Sequence, residues 1–260
     1  MRGYLMADMK LPKEIENLLA GMVWAEDNEG MSKAKVIKYY DNNKTYYLKI
    51  EKLNSEVERE IGMYRWLKGR LPVPEILYQD IFDGVSYLLM EKARGEMLQE
   101  EKYKKDPALL VHLAAKGLKK LWSVDISNCH FDSRIDYKLK QARYFIDTGE
   151  VDHIDESIYT EGIRTVEDLY KYLLEHKPKE EPVFTHGDYC FNNFFTDGED
   201  ITCYIDMGRG GVGDIYQDIA LCVRELGEID PKCVDLLFKE LEMKPDYEKI
   251  RYYILLDELF

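Results

Sequence analysis

His186-Gly187-Asp188-Tyr189-Cys190-Phe191-Asn192-Asn193 sets an aspartate and an asparagine five residues apart, between two short runs of strand formers, Val183-Phe184-Thr185 and Asn193-Phe194-Phe195-Thr196. A hairpin turn at Asp197-Gly198 leads into Ile201-Thr202-Cys203-Tyr204-Ile205, an apolar strand that ends on a second aspartate, Asp206. Phosphoryl transfer from ATP needs these parts. One carboxylate, Asp188, would orient an acceptor hydroxyl and take its proton, while an amide oxygen and a second carboxylate, Asn193 and Asp206, would hold magnesium on the phosphates.

Upstream of this block the pattern is strand-like. Met22-Val23-Trp24, Val36 to Tyr40, Thr45 to Ile50, Ile76-Leu77-Tyr78 and Val85 to Met90 are separated by the turn signals Asp41-Asn42-Asn43 and Asp83-Gly84, which predicts a five-stranded antiparallel sheet. Between the third and fourth strands, Val57, Ile61, Tyr64 and Leu67 recur at helical spacing after the capping candidates Asn54 and Ser55, and Pro72 and Pro74 stop the helix. One helix is therefore expected on the sheet. After Glu91-Lys92-Ala93-Arg94-Gly95 helical periodicity takes over, near Pro107 to Ser123, Asp132 to Asp147, Thr165 to Lys177, Asp214 to Gly227, Lys232 to Leu241 and Asp246 to Phe260. The expectation is an α+β chain with a nucleotide-binding lobe over 1–93 and a mainly helical catalytic and substrate-binding lobe over 94–260.

Lys49 closes the third strand and Glu60 lies on the helix that follows. A strand lysine on the α and β phosphates, oriented by a helix glutamate, is the other half of a kinase site. Alone, such a pair is more often a surface salt bridge; its order in the chain with the downstream block favours function. Glu29-Gly30-Met31-Ser32-Lys33-Ala34 falls between the first two strands, where backbone N–H groups and a serine hydroxyl can bind phosphate oxygens without the G-x-G-x-x-G of protein kinases.

Composition bounds the partners. The 260 residues are 45 % hydrophobic and 33 % charged, which is globular composition. Fifty acidic against thirty-six basic residues give a net charge of -14, so nucleic acid is not expected as a partner. No apolar run approaches the roughly 18 residues of a membrane span, and Met1 to Lys10 does not build a signal-peptide core, so a cytoplasmic protein without a membrane partner is expected. The five cysteines, Cys129, Cys190, Cys203, Cys222 and Cys233, form no C-x-x-C pair, and reduced thiols are expected. No residue pattern sets an oligomeric state, and the sequence is compatible with a monomer.

Nearly end to end, the chain resembles the aminoglycoside 3'-phosphotransferases, small-molecule kinases with a bilobal protein-kinase-like fold. The resemblance runs through Glu29-Gly30-Met31-Ser32, Tyr47-Leu48-Lys49, Val57-Glu58-Arg59-Glu60, Leu71-Pro72-Val73-Pro74, His186-Gly187-Asp188, Ile205-Asp206-Met207-Gly208-Arg209 and Tyr253-Ile254-Leu255-Leu256-Asp257-Glu258-Leu259-Phe260. It implies ATP as co-substrate, two magnesium ions on Asn193 and Asp206, and a cationic aminoglycoside as acceptor of the γ-phosphate, with antibiotic resistance as the outcome. By the same resemblance Asp188 is catalytic, Lys49 and Glu60 position the α and β phosphates, and Tyr47 stacks on adenine. The backbone of Glu91 and Ala93 bonds the adenine edge, and Met31 and Ser32 cover the β-phosphate. Arg209, Glu228, Asp257, Glu258 and the Phe260 carboxylate line the drug pocket. The acidity then has a use, since a carboxylate-lined cleft attracts polyamines.

Two departures qualify the resemblance. Some relatives carry a drug-contacting aspartate three residues after the catalytic one, where this chain has Phe191; an apolar ring at the acceptor site is expected, and Phe191→Asp is expected to broaden the acceptor range. The acidic segment Asp152 to Glu161, with Glu156 and Glu161, is a candidate substrate lid without a firm register. His186 is read as a support of the loop, and Asp218 as its buried anchor or a solvated helix residue. The rival functions are a kinase of another small hydroxylated amine or sugar, choline-like or methylthioribose-like, and a catalytically idle nucleotide-binding module.

Overall fold

The computed structural model describes residues 11–27, 34–160 and 162–260. In chain order the elements are α1 (Lys13–Leu18), β1 (Val23–Asp27), β2 (Lys35–Tyr40), β3 (Thr45–Lys52), α2 (Ser55–Leu67), β4 (Ile76–Phe82), β5 (Val85–Glu91), β6 (Glu96–Met97), α3 (Glu101–Lys104), α4 (Pro107–Trp122), α5 (Ile135–Thr148), α6 (Val166–Glu175), β7 (Pro182–Thr185), β8 (Phe194–Thr196), β9 (Ile201–Tyr204), β10 (Gly211–Asp214), α7 (Ile215–Ile229), α8 (Lys232–Leu241) and α9 (Tyr247–Asp257). They divide into two compact units, one formed up to Glu58 and by Pro74–Ala93, the other by Arg59–Val73 and Arg94–Phe260.

The first unit holds the expected antiparallel sheet, in the order β1-β2-β3-β5-β4. Its turns follow from their side chains. The Asp41 carboxylate accepts from the Asn43 and Lys44 N–H groups at 2.7 and 2.8 Å, closing the β2–β3 turn. Asp83 and Gly84 both take positive φ, 51° and 72°, the combination a tight β4–β5 hairpin requires. Side chains alternate across the sheet: Ile37, Tyr39, Leu48, Ile50, Tyr87 and Leu89 form a buried cluster with Ile15 and Leu19. The helix that enters this cluster is thus α1, which the periodicity had not marked. Tyr47 and Lys49, one residue out of step with Leu48 and Ile50 on β3, belong to the opposite face.

Helix α2 is capped by Asn54, whose side-chain oxygen accepts from the Glu56 and Val57 N–H groups at 2.9 Å each. From Arg59 on, its partners lie in the second unit. Trp66 stacks on Phe184 at 5.4 Å, and Arg59 donates to the carbonyls of Asp132 and Gly210 at 2.6 and 2.7 Å. Pro72 beyond the helix accepts from the Tyr204 N–H at 2.8 Å.

The second unit is mainly helical. Two small antiparallel sheets, β7 with β10 and β6-β8-β9, frame the segment 186–206. Strand β10 escaped the sequence reading because Gly211-Val212-Gly213-Asp214 holds a single strand former, Val212, between glycines; Asp214, expected as the first helical residue, ends that strand and caps α7 by accepting from the Tyr216 N–H at 2.8 Å. Its other oxygen takes the Lys249 ammonium of α9 at 3.0 Å, so a buried ion pair ties α9 to the start of α7.

An aromatic layer of Tyr189, Phe191, Phe194 and Tyr204 fills the space under the loop, all four buried. Tyr189 and Tyr204 donate their hydroxyls to the Ala114 and Gly117 carbonyls of α4 at 2.8 and 2.9 Å. A Cβ at Gly117 would overlap the Tyr189 hydroxyl. Gly117→Ala should therefore destabilise the chain by about 1–3 kcal/mol through overpacking, a loss of roughly 2–12 °C in Tm that thermal unfolding followed by circular dichroism would measure.

Candidate functional site

The His186–Asn193 loop leaves β7 and is held by a buried carboxylate. Asp218 of α7 accepts from the His186 N–H at 2.7 Å and the Gly187 N–H at 2.9 Å. Burial raises the Asp218 carboxyl against the pull of His186 and these two N–H groups. Gly187 takes φ 86°, and a side chain there would run into the Arg209 carbonyl, so only glycine fits. The His186 ring lies 2.9 Å from the Ile205 carbonyl through Nε2 and accepts from the Asp188 N–H at 3.3 Å through Nδ1. That pattern fixes the Nε2–H tautomer and leaves the ring as a brace.

Asp188 is held by its loop on both oxygens. Cys190 Sγ donates to Oδ1 at 3.2 Å and Asn193 Nδ2 donates to Oδ2 at 3.0 Å. Burial alone would raise the Asp188 carboxyl, but the Arg209 guanidinium leads a set of favourable contacts that outweighs it and leaves the carboxyl below its usual range. Asp188 is then an ionised base at neutral pH. Burial, reinforced by Asp188, pushes the Cys190 thiol far up, so it serves as a donor and not as a nucleophile.

Asn193 and Asp206 are brought together through the backbone. The Ile205 N–H donates to the Asn193 carbonyl at 2.9 Å, and Asp206 follows in a left-handed conformation at φ 54°. The Asp206 N–H donates at 3.0 Å to the hydroxyl of Tyr64, one helical turn beyond Glu60 on α2. Burial first, then the charges of Glu60 and Asp206, drive the Tyr64 phenol well above its usual value. The strained Asp206 is an exposed carboxylate, and Asn193, its nitrogen committed to Asp188, keeps its amide oxygen to offer. Two hard oxygen donors suit Mg²⁺, which binds through one or two protein groups plus substrate phosphates. Among the described residues no group of three or more His, Cys, Asp or Glu forms a metal cage.

The residues expected at the nucleotide divide between the units. Tyr47 and Lys49 sit on β3, opposite Met90 and Leu88 of β5, and the Lys49 ammonium stands 3.9 Å from Glu51. The Glu91 N–H is used by the Glu75 carbonyl at 2.9 Å. Glu60 belongs to the second unit, and is buried. Met31, Ser32 and Glu161 lie outside the described residues.

At the acceptor end Arg209 stands 5.8 Å from the Phe260 ring centre. Asp257 pairs with Arg224 at 2.9 Å, and Glu258 accepts from the Asp155 N–H at 3.5 Å, so the acidic segment does reach the end of the chain. Glu228 is exposed on α7. One turn before it, Glu225 accepts from the Phe191 N–H at 3.3 Å; burial raises its carboxyl. The expected Phe191 ring at the acceptor site is not found: the ring is buried, edge-on to Phe194 at 5.9 Å. Its place on the sequence, inside a polar loop, hid its role under the loop.

Glu225, Arg224 and Lys138 were missed by the sequence reading. Glu225 had a signal, its helical spacing from Glu228, and Lys138 had another, its place in the apolar stripe Ile135, Leu139 and Ala142. Arg224 had none apart from the fold.

The chain belongs to the phosphotransferase enzyme family, whose model matches residues 23–253. It is 38 % identical over 265 residues to an Enterococcus faecalis protein named aminoglycoside 3'-phosphotransferase, covering 98 % of this chain and 100 % of that one. A Niallia circulans protein of the same name is 42 % identical over 206 residues, 77 % of this chain and 78 % of that one. The solved structure of an aminoglycoside-3'-phosphotransferase of type VIII superposes with a TM-score of 0.82 at 27 % identity, over 95 % of this chain and 97 % of that chain. The α+β kinase-like fold expected from the sequence is the fold observed. No helix among the described residues is long and apolar enough to cross a membrane.

Asp218→Asn should cost about 1–3 kcal/mol, because an amide nitrogen would face a backbone N–H, and should lower kcat by about 10²-fold as Asp188 shifts. Thermal unfolding and steady-state phosphate transfer on the same preparation measure both. Phe191→Asp should destabilise by several kcal/mol by burying a carboxylate, the reverse of a gain in acceptor range, and a lowered Tm with no new acceptor would be the result.

Proposed function

We propose that this enzyme transfers the γ-phosphoryl group of ATP to the 3'-hydroxyl of a cationic aminoglycoside and so confers resistance, acting in the cytoplasm. The observation that carries the reading is the Asp188 carboxylate, kept ionised beside Arg209 and hydrogen-bonded to Asn193, whose carbonyl is tied to the Asp206 strand. The full-length similarity to aminoglycoside 3'-phosphotransferases supports the acceptor class.

Asp188 orients the acceptor hydroxyl and receives its proton as the acceptor oxygen forms its bond to Pγ and the bond to the bridging oxygen of ADP breaks. Asn193 and Asp206 would hold Mg²⁺, which when bound supplies neutralising charge on the transferring phosphates. Lys49, with Glu60, positions the α and β phosphates; Tyr47 stacks on adenine; the backbone of Glu91 and Ala93 meets the adenine edge; Met31 and Ser32 cover the β-phosphate. Arg209, Glu228, Asp257, Glu258 and Phe260 line the acceptor pocket, and the negative net charge steers polyamines to it.

Phosphate transfer from ATP to kanamycin and neomycin, with the product position read by NMR, tests the reading. Phosphorylation at the 3'-hydroxyl is expected, and Asp188→Asn should lower kcat by roughly 10² to 10⁴ with ATP affinity unchanged. Near-normal turnover in that variant would sink the role of Asp188. Failure of both drugs as acceptors, with transfer to choline or methylthioribose, would replace the aminoglycoside by a small amine or sugar.

A further inference from the structure

Lys138 lies on α5 among residues that the helix buries, and is itself buried. Burying an ammonium is unfavourable unless its surroundings compensate it. Here its Nζ stands 4.8 Å from the centre of the Phe260 ring. Phe145, two helical turns along α5, meets the same ring edge-on at 5.8 Å, and Arg209 stands 5.8 Å from its centre. The Gln217 amide, oriented so that its nitrogen donates to the Ser133 carbonyl, sets its oxygen 3.1 Å from the ammonium. The charged groups facing Lys138 are Arg209, Asp257, Asp218 and Asp188, from four separate parts of the chain.

Past Asp257 the backbone gives the chain little hold. Leu259 and Phe260 make single turns to Leu256 and Asp257, at 3.3 and 3.1 Å. What fixes Phe260 is therefore its side chain, whose ring meets the Lys138 ammonium at 4.8 Å, nearer than the Phe145 ring and the Arg209 guanidinium, each at 5.8 Å.

We infer that Lys138 is a positioning residue for acceptor recognition: its ammonium seats the Phe260 ring and, through it, the segment Asp257-Glu258-Leu259-Phe260 against the aminoglycoside. This rests on the assignment of that segment to the acceptor pocket. A cation that repels the drug outright would be a poor pocket residue; covered by an aromatic ring it holds the pocket's wall without facing the substrate's charge.

The geometry has a pH consequence. Burial first, then Arg209, lower the Lys138 ammonium to about 8, against the opposing pull of Asp257, Asp218 and Asp188. A base whose folded value is lowered keeps its charge below that value and loses it above, so the seat of Phe260 is intact at neutral pH and weakens as pH rises through about 8.

The test is steady-state transfer from ATP to kanamycin at several pH values, with Lys138→Met, Lys138→Arg, Glu258→Ala and Phe260→Ala alongside the parent. Lys138→Met should raise the kanamycin KM about 5- to 30-fold with the ATP KM unchanged, the range expected for a lost cation–π contact. The parent KM should climb above pH 8 more steeply than that of Lys138→Arg, whose guanidinium stays charged; titration of the drug's own amines is common to both. A kanamycin KM unchanged in Lys138→Met, while Glu258→Ala raises it, would overturn the inference and leave the acceptor-end assignment standing. Should Lys138→Met not fold, the Lys138→Arg comparison decides alone, and superposable pH profiles overturn the inference. If Glu258→Ala and Phe260→Ala both leave the kanamycin KM unchanged, the acceptor-end assignment fails, and this inference with it.

Discussion

The Asp218 carboxylate accepts the backbone N–H groups of two successive residues, His186 and Gly187, inside the protein, and the loop that carries Asp188 takes its shape from those two bonds. A buried negative charge is unfavourable on its own, but two charge-assisted hydrogen bonds of about 1.5–3 kcal/mol each offset it, and neither N–H has another partner of comparable strength in that position. Because the bonds go to the backbone, they dictate conformation more than identity. Gly187 must turn through positive φ against the Arg209 carbonyl, and His186 must point its ring at the Ile205 carbonyl. Asp188 emerges where the turn delivers it, with Cys190 and Asn193 as its donors.

Once Asp188 is placed, its charge state becomes the next constraint. Burial by itself pushes the Asp188 carboxyl upward. Arg209 leads the contacts that oppose that rise. Arg209 acts on Asp188 directly, Arg224 pairs with Asp257, and Lys138 is enclosed among Asp188, Asp218 and Asp257. The chain is strongly acidic as a whole, yet its candidate acceptor end is balanced by cations.

What the sequence disclosed and what it hid follow from the range of the interactions. The five strands of the first unit were legible because alternation and turn chemistry are local, as at Asp41 and at Asp83-Gly84. The Asp188, Asn193 and Asp206 set was legible because the hairpin that joins its members is short. Strand β10 was not, since Gly211-Val212-Gly213-Asp214 is a strand only by pairing with β7, and α1 was not, since its burial comes from the sheet. Phe191 was misread because a residue's side of a loop depends on the aromatic layer beneath it. Lys138 and Arg224 come from helices α5 and α7, and their meeting with Phe260 and Asp257 depends on how α9 returns along α7, where the buried Lys249–Asp214 pair ties the two helices.

Helix α2 shows the same dependence at a larger scale. Its cap, Asn54, is a local feature of the first unit, and by periodicity the helix reads as an accessory of the sheet. From Arg59 onward its bonds belong to the second unit. Arg59, enclosed between the Phe131 and Tyr137 rings at 5.5 and 4.9 Å, donates to Gly210, just past Arg209, and Tyr64 accepts the N–H of Asp206. Glu60, assigned to orient the nucleotide lysine, lies between these two anchors. Its carboxylate and that of Asp206 both act on the Tyr64 phenol, which they help keep neutral and therefore able to remain buried. The helix is thus fastened, on both sides of Glu60, to the segment that carries Asp206 and Arg209. Within the second unit Glu60, Asp206 and Arg209 are thus set by one network, in which the Arg59 and Tyr64 side chains hold the backbone of Gly210 and Asp206.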